Sequence, residues 1–278
     1  SEHRGRLDPA RWDGSTAVVR SQAGERVVEA LCQPPQPGVR DSRGQPYRDA
    51  HREVTPLPVK SVGMWRSVRT QIRRRRFRRQ LQSHPQGLKL VVGAAGVTQP
   101  GWIGSEVEFL DLLRPEQWAE AFGGHLLDAI LAEHVWEHLT RSDGLRAAET
   151  CIRFLRPGGH LRIAVPDGNH PDPNYIEAVG VGGSGAGADD HKVLYDVDSL
   201  TDLLRQAGFM ARPLEYFDRK HTFHHHRWDP ADGMVRRSFG HDERNRHGPS
   251  YTSLIIDGVK VGRDLPGVSC HAGTGVEA

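Results

Sequence analysis

Lysine is nearly missing from this chain. It stands only at positions 60, 89, 192, 220 and 260, so the cationic side chains are almost all arginine, a usage that points to GC-rich coding. Cysteine is scarcer still: Cys32, Cys151 and Cys270 lie far apart and form no CxxC pair. That excludes a disulfide framework and a cysteine zinc site, and it fits a reducing, cytoplasmic compartment. No apolar run approaches the length of a bilayer span and no signal-like apolar segment opens the chain, so no membrane span is expected. Aromatic residues make up 7% and hydrophobic residues 37% of the sequence, low enough to leave part of it outside a packed core. The remainder suits one well-cored domain with an extension.

What is present is unevenly distributed. Residues 1–86 carry 18 Lys/Arg against 8 Asp/Glu, whereas the rest carries 19 against 27, a basic arm on an acidic body. The arm has no sustained period over residues 1–60 and includes Gln33-Pro-Pro-Gln-Pro-Gly38 and Thr55-Pro-Leu-Pro58, with one short apolar patch at Val27–Cys32. It is expected to be largely irregular. Residues 64–82 differ: Trp65, Val68, Ile72, Phe77 and Leu81 form a ragged stripe among eight arginines, which predicts a basic amphipathic helix. Two kinds of partner fit it: the acidic body of the same chain, or a phosphate-rich partner such as RNA, a nucleotide-bearing substrate or an anionic membrane face. The first is favoured, because the arginines have no interleaved base-stacking aromatics. The sequence thus divides into a basic extension over 1–86, a domain over 87–262 and a tail over 263–278.

From residue 88 strand and helix patterns alternate. Strands are expected at 88–92, 101–106, 107–111, 127–132, 160–165, 211–217 and 251–257, and helices at 115–122, 134–139, 142–155 and 197–207. This predicts a Rossmann-like, doubly wound α/β sheet with helices on both faces, mostly parallel with an antiparallel last strand. Ligands of such sheets bind beyond the carboxyl ends of the strands. The small-residue loop Gly93-Ala94-Ala95-Gly96 falls there and allows close backbone approach. Glu106 ends the second strand, where a carboxylate can accept both hydroxyls of a ribose, and Asp111 stands where one can take an exocyclic amine. Glu133 and His134 follow the apolar strand Leu127–Leu131.

These pieces resemble the class I S-adenosylmethionine-dependent methyltransferases, small-molecule type. The marks are Val92-Gly-Ala-Ala-Gly96, Gly101-Trp-Ile-Gly-Ser-Glu106, Glu133-His-Val-Trp-Glu-His-Leu139 and Leu155-Arg-Pro-Gly-Gly-His-Leu-Arg-Ile-Ala-Val-Pro-Asp167, followed by Tyr195–Phe209 as the family's last helix. The resemblance runs from 88 to about 260 and leaves 1–86 aside. The chain departs from the pattern at Ala95, where glycine is usual, at Val91, where an acid is usual nearby, and at Glu106, where Asp is also common. It implies S-adenosylmethionine as cofactor, held by Gly93, Ala94, Ala95, Gly96, Glu106, Asp111, Glu133 and His134, and methyl transfer to an O or N atom of a small-molecule acceptor. A tailoring step in natural-product biosynthesis fits. The alternatives are an RNA-directed methyltransferase and a cofactor-binding protein without methyl transfer.

The sulfonium methyl is already activated, so the protein must align the acceptor and, where needed, take its proton. His134 is the first candidate base, with His170 and Asp167 beyond the fifth expected strand; the bland alternative makes the 134–139 turn a helix cap with Trp136 in the core. Asp190, His191 and Tyr195, after the glycine-rich loop 180–188, are candidate acceptor contacts. His134 to His138 also resembles the Glu-x-x-Glu-His segment with which some members bind a divalent ion, but with His in place of the first Glu. A hard, oxygen-preferring ion gains little from two imidazoles, so no metal is expected. His221, His224, His225 and His226 read as a polar surface loop.

Overall fold

The computed structural model describes residues 59–83, 87–97 and 99–262. The irregular extension, the Val27–Cys32 patch and the tail lie outside these residues, as do the side chains of Trp65 and Val68. Two compact units divide between Arg73 and Arg74. The described part of the smaller unit is helical residues 59–73, the first stretch of α1 (Val59–Ser83).

In the larger unit the rest of α1 explains its sequence pattern only in part. Phe77 is buried against Phe109 and Phe122, with ring centroids 5.3 and 6.4 Å away. Arg78 donates to Glu120 at 2.6 Å. One aromatic anchor and a screened ion pair, rather than a long apolar seam, tie this end of the helix to the acidic body.

A seven-stranded mixed sheet forms the centre, in the order β2-β1-β3-β4-β7-β5-β6. Its strands are β1 (Lys89–Val92), β2 (Ile103–Gly104), β3 (Leu127–Glu133), β4 (Leu155–Pro166), β5 (Met210–Phe217), β6 (Phe223–His225) and β7 (Ser253–Val259). Strands β1 to β4 pair in parallel, while β7 inserts antiparallel between β4 and β5, and β6 closes a hairpin with β5. The expectation of a mostly parallel sheet ending in an antiparallel strand is corrected: three pairings are parallel and three antiparallel, because β7 inserts between β4 and β5 and β6 folds back on β5. The expected strand 107–111 is a turn: the N–H groups of Phe109 and Leu110 both donate to the Glu106 carbonyl. Its apolar residues are buried by a loop, so their alternation does not mark a strand.

Helix α2 (Pro115–Phe122) begins with Pro at its first turn and ends on Gly123 in the left-handed region. Helix α3 (Arg141–Phe154) is capped by Thr140, α4 (Pro173–Val179) by Asp172 and α5 (Val197–Gln206) by an Asp196–Ser199 capping box. Helix α3 runs straight into β4. Leu155 pairs with Leu127 and His160 with Ala129, so Arg156-Pro-Gly-Gly159 bulges out opposite Asp128. A Cβ at Gly159 would lie 2.9 Å from the Asp128 carbonyl oxygen, which is why that turn needs glycine.

The two faces of the sheet are covered differently. Leu90, Ile130, Leu161 and Gly258 share one face through strand register, and a Cβ at Gly258 would meet Phe209 and Leu204 of the α5 region. Val91, Leu131, Arg162 and Asp257 share the other. There the cover is an irregular segment, residues 228–238, whose Val235 is fully buried in a cluster with Val91, Ala94, Trp102 and Leu131. Among the described residues no helix joins β1 to β2. The expectation of helices on both faces is corrected: ten residues between Val92 and Ile103 are too few for a turn, a helix and a return.

Candidate active site

At the carboxyl end of β1 the chain turns through Gly93, Ala95 and Gly96, all with positive φ (61°, 48° and 82°). A Cβ at Gly93 would stand 2.7 Å from Val135 Cγ2, so this glycine lets the loop pack against the turn that follows β3. Gly96 faces open space. Its N–H donates to Glu106 Oε1 at 3.0 Å, and the Ala94 N–H donates to the Ser105 carbonyl at 3.0 Å. The small-residue loop and the carboxylate beyond β2 are therefore one structure. Asp111 lies further along, half-buried: Oδ1 accepts the Leu113 N–H and Oδ2 is 3.6 Å from Arg114.

Beyond β3, His134 adopts φ 55°, a conformation rare for a side-chain-bearing residue. Its Nδ1 lies 2.9 Å from Glu137 Oε1 and its Nε2 3.2 Å from Ser253 Oγ on β7. The order Glu–His–Ser has the look of a nucleophilic triad, but Ser253 is 1% exposed within the sheet and orients the ring instead. Burial pushes the Glu137 carboxyl up, but the hydrogen bond from His134 and the His134 and His138 charges outweigh it and leave the group below its usual value. Glu133 Oε1 is taken by the N–H groups of Arg236 and Arg237, which fasten the cover segment to this strand end. Trp136 is fully buried and donates to the Gly144 carbonyl, as the bland reading of this turn expects.

The segment after α4 closes over the same turn. The N–H groups of Lys192 and Val193 donate to the Glu137 carbonyl, and Lys192 Nζ donates to that of His138. This brings Asp190 to within 3.6 Å of His138 and the His191 ring to 4.9 Å from the His138 ring. Asp190 and His191 thus join the Glu137–His138 turn, a meeting that sequence spacing could not reveal.

Three expectations change. Tyr195 is fully buried, with its hydroxyl where a Cβ on Gly144 would lie 2.9 Å away, so it packs α3 and is no acceptor contact. Asp167 is also fully buried, and its oxygens accept the N–H groups of Asn169 and Phe217, linking the ends of β4 and β5. It has no reach to an acceptor. His170 stacks on Tyr175 at 4.0 Å, its Nδ1 accepts the Asp172 N–H, and burial holds the ring below its usual pKa. It borders an open groove of about 330 Å³ with Phe217 and Pro249, away from the 134–138 turn in sequence and contacts. The histidines after β5 diverge: His221 meets the Asn169 carbonyl, His224 Asp218 and His225 Glu215. The anchoring role of Glu215, fully buried and accepting from Trp228 and Phe239, was not foreseen.

Asp167 gives a pH signature. Burial pushes its carboxyl up to about 6. With the folded value above the unfolded one, the contribution to stability is fully present below the unfolded value of about 4 and is lost as pH rises through about 6. Asp167→Asn removes this titration, so the variant should gain on the wild type by roughly 2–3 kcal/mol between pH 4 and pH 7. Urea melts of both proteins across that range check it; a constant difference would contradict the assignment.

No family model matches the chain, and no curated protein matches it. Solved structures similar to it include an O-methyltransferase family protein from Burkholderia thailandensis (12% identity, 66% of this chain and 47% of that one, TM-score 0.36). A SAM-dependent methyltransferase from Archaeoglobus fulgidus is also similar (13%, 68% and 94%, 0.39), as is PigF with SAH (14%, 62% and 50%, 0.36). This chain spans about half the length of the first and third of these.

Proposed function

We propose that this chain is an S-adenosylmethionine-dependent methyltransferase acting on an O or N atom of a small-molecule acceptor, with natural-product tailoring the favoured setting. The observation that carries the reading is the joining of the Gly93–Gly96 loop to Glu106 across the ends of β1 and β2, packed against the turn that follows β3 through Val135. The residues fit the cofactor. Gly96 leaves open space above the loop, and Glu106 offers a carboxylate at its rim. Glu106 would hold the ribose hydroxyls, Asp111 the adenine edge, and the loop backbone the amino-acid tail. When bound, the cofactor supplies an electrophilic methyl group. The chain's own work is to orient the acceptor and take its proton at His134 Nε2, while Glu137 holds the opposite ring nitrogen.

Calorimetry with S-adenosylmethionine and S-adenosylhomocysteine tests this reading. Glu106→Ala should weaken binding by about 1.5–3 kcal/mol, because charge-assisted hydrogen bonds are lost. Unchanged affinity would place the ribose elsewhere, and no binding by the wild type would end the proposal. The RNA-directed reading rests on the exposed arginines at 73–76. A steep salt dependence of RNA affinity, abolished by replacing those four residues, would favour it over a small acceptor.

A further inference from the structure

One cation beside the candidate base has nothing to hold. Among the described side chains every arginine is exposed except two, Arg162 and Arg237. Arg162 has Asp257 as its counter-charge. The half-buried guanidinium of Arg237 has no hydrogen-bond or ion-pair partner among the described residues, and it lies over the Tyr251 ring, 5.8 Å from the centroid. Asp242 is the acid that feels its charge, but that carboxylate is already held by Arg244, through Nε at 2.9 Å and Nη2 at 2.5 Å. A cation drawn out of water without a counter-charge is unfavourable, and an anionic ligand completes it.

The backbone of Arg237 is pinned on both sides of His134. Its N–H donates at 3.1 Å to Glu133, the residue before that histidine. Its carbonyl accepts at 2.9 Å from the N–H of Ser253, whose Oγ meets His134 Nε2. The side chain then runs to Tyr251, two residues before Ser253, so guanidinium and base share the start of β7.

We propose that the acceptor carries a carboxylate and that Arg237 binds it, presenting the acceptor's O or N atom to His134. The inference rests on the methyltransferase reading and narrows its substrate class. Charge selects the anion. Arg237, Arg244 and Asp242 together hold one net positive charge, which a carboxylate monoanion matches and a phosphate dianion exceeds. Geometry agrees, since the planar guanidinium fork fits the two oxygens of a carboxylate. The Tyr251 ring beneath the fork, with Tyr175 edge-on to it at 5.6 Å, gives an aromatic acceptor a wall to lie against.

The full-length protein, free of cofactor, is titrated with 4-hydroxybenzoate and with 4-hydroxybenzamide, followed by ligand-observed NMR. The two probes share ring and hydroxyl and differ in charge. The acid is expected to bind about 10- to 100-fold more tightly than the amide. Arg237→Gln should remove that preference by weakening the acid alone, a pattern that a merely structural arginine would not produce. Arg237→Lys keeps the charge without the fork and should fall between the two. Arg236→Gln, its exposed neighbour on the same segment, should leave the preference intact. Circular dichroism checks that each variant is folded.

Equal binding of acid and amide by the wild type overturns the proposal, as does no binding of the acid. So does a preference that survives Arg237→Gln, or one that Arg236→Gln removes equally. The titration contains no S-adenosylmethionine, which separates the two failures. A protein that binds S-adenosylhomocysteine but does not prefer the acid keeps the methyltransferase reading and loses this one. A protein that prefers the acid through Arg237 but binds no S-adenosylhomocysteine has an anion site and no methyl donor, and the acceptor assignment falls.

Discussion

Asp257→Ala is expected to destabilise the fold by about 3–5 kcal/mol, the cost of breaking a buried ion pair by removing one partner. Asp257 and Arg162 face each other across the β4–β7 ladder, with Nε to Oδ1 at 2.7 Å and Nη2 to Oδ2 at 2.9 Å. Arg162 is only 2% exposed. Its remaining nitrogen donates to the Gly233 carbonyl at 2.7 Å, and Trp228 lies over the guanidinium at 4.8 Å. Removing the carboxylate leaves a buried cation with no counter-charge, which costs far more than the pair itself contributes. The loss also releases the cover segment. That segment is held to the sheet by Arg162, by the paired Gln99–Met234 hydrogen bonds and by Glu133. Chemical denaturation checks the size of the effect. The paired replacement Arg162→Met with Asp257→Leu should recover most of it, since well-packed apolar side chains can stand in for a buried ion pair. An equally unstable double variant would show that the cover segment depends on something other than this pair.

The same segment marks the limit of what the sequence shows. Strands β1, β3 and β4 are legible because their Leu, Ile and Val runs are buried on both faces, and α2 is legible to the residue because Pro115 and Gly123 punctuate it. Residues 218–250, which include the cover segment 228–238, read as a polar excursion between the last two expected strands. They nevertheless cover half the sheet, because their backbone carbonyls, which carry no sequence signal, satisfy the Arg162 and Lys89 cations. Asp172-Pro173 marks the start of α4, as N-cap and first-turn proline, but it stands within a run of turn-forming residues that hides so short a helix. At the site, Gly93, Glu106 and His134 follow from strand-end logic. The roles of Ser253 and His191 do not, since the first lies 119 residues from His134 and the second reaches Glu137 through a loop. Asp167 and Tyr195 differ from expectation for one reason. A polar residue at a strand end can serve the fold's own backbone, and only burial distinguishes that use from an open site.

His134→Ala should lower turnover by about 10²–10⁴-fold while changing cofactor affinity less than about threefold. The split follows from the geometry. Glu137 is a carboxylate with no proton of its own to share, so the 2.9 Å contact puts the imidazole proton on Nδ1 and the lone pair on Nε2. Glu137 thereby orients the ring and stabilises the imidazolium formed when an acceptor proton is taken up. Ser253 Oγ, 3.2 Å from Nε2, holds the ring until an acceptor replaces that contact. The backbone supplies a second test. His134 sits at φ 55°, where a side chain costs roughly 1–3 kcal/mol and glycine costs almost nothing. His134→Gly should therefore fold at least as stably as His134→Ala and still lack turnover. A glycine variant both more stable and inactive would mean that the strained conformation is kept for chemistry. If cofactor affinity and turnover fall together in both variants, His134 shapes the turn and the proton leaves by another route. A histidine in a strained conformation, hydrogen-bonded to Glu137 through one nitrogen and to a displaceable serine hydroxyl through the other, is expected to lose turnover and keep cofactor affinity.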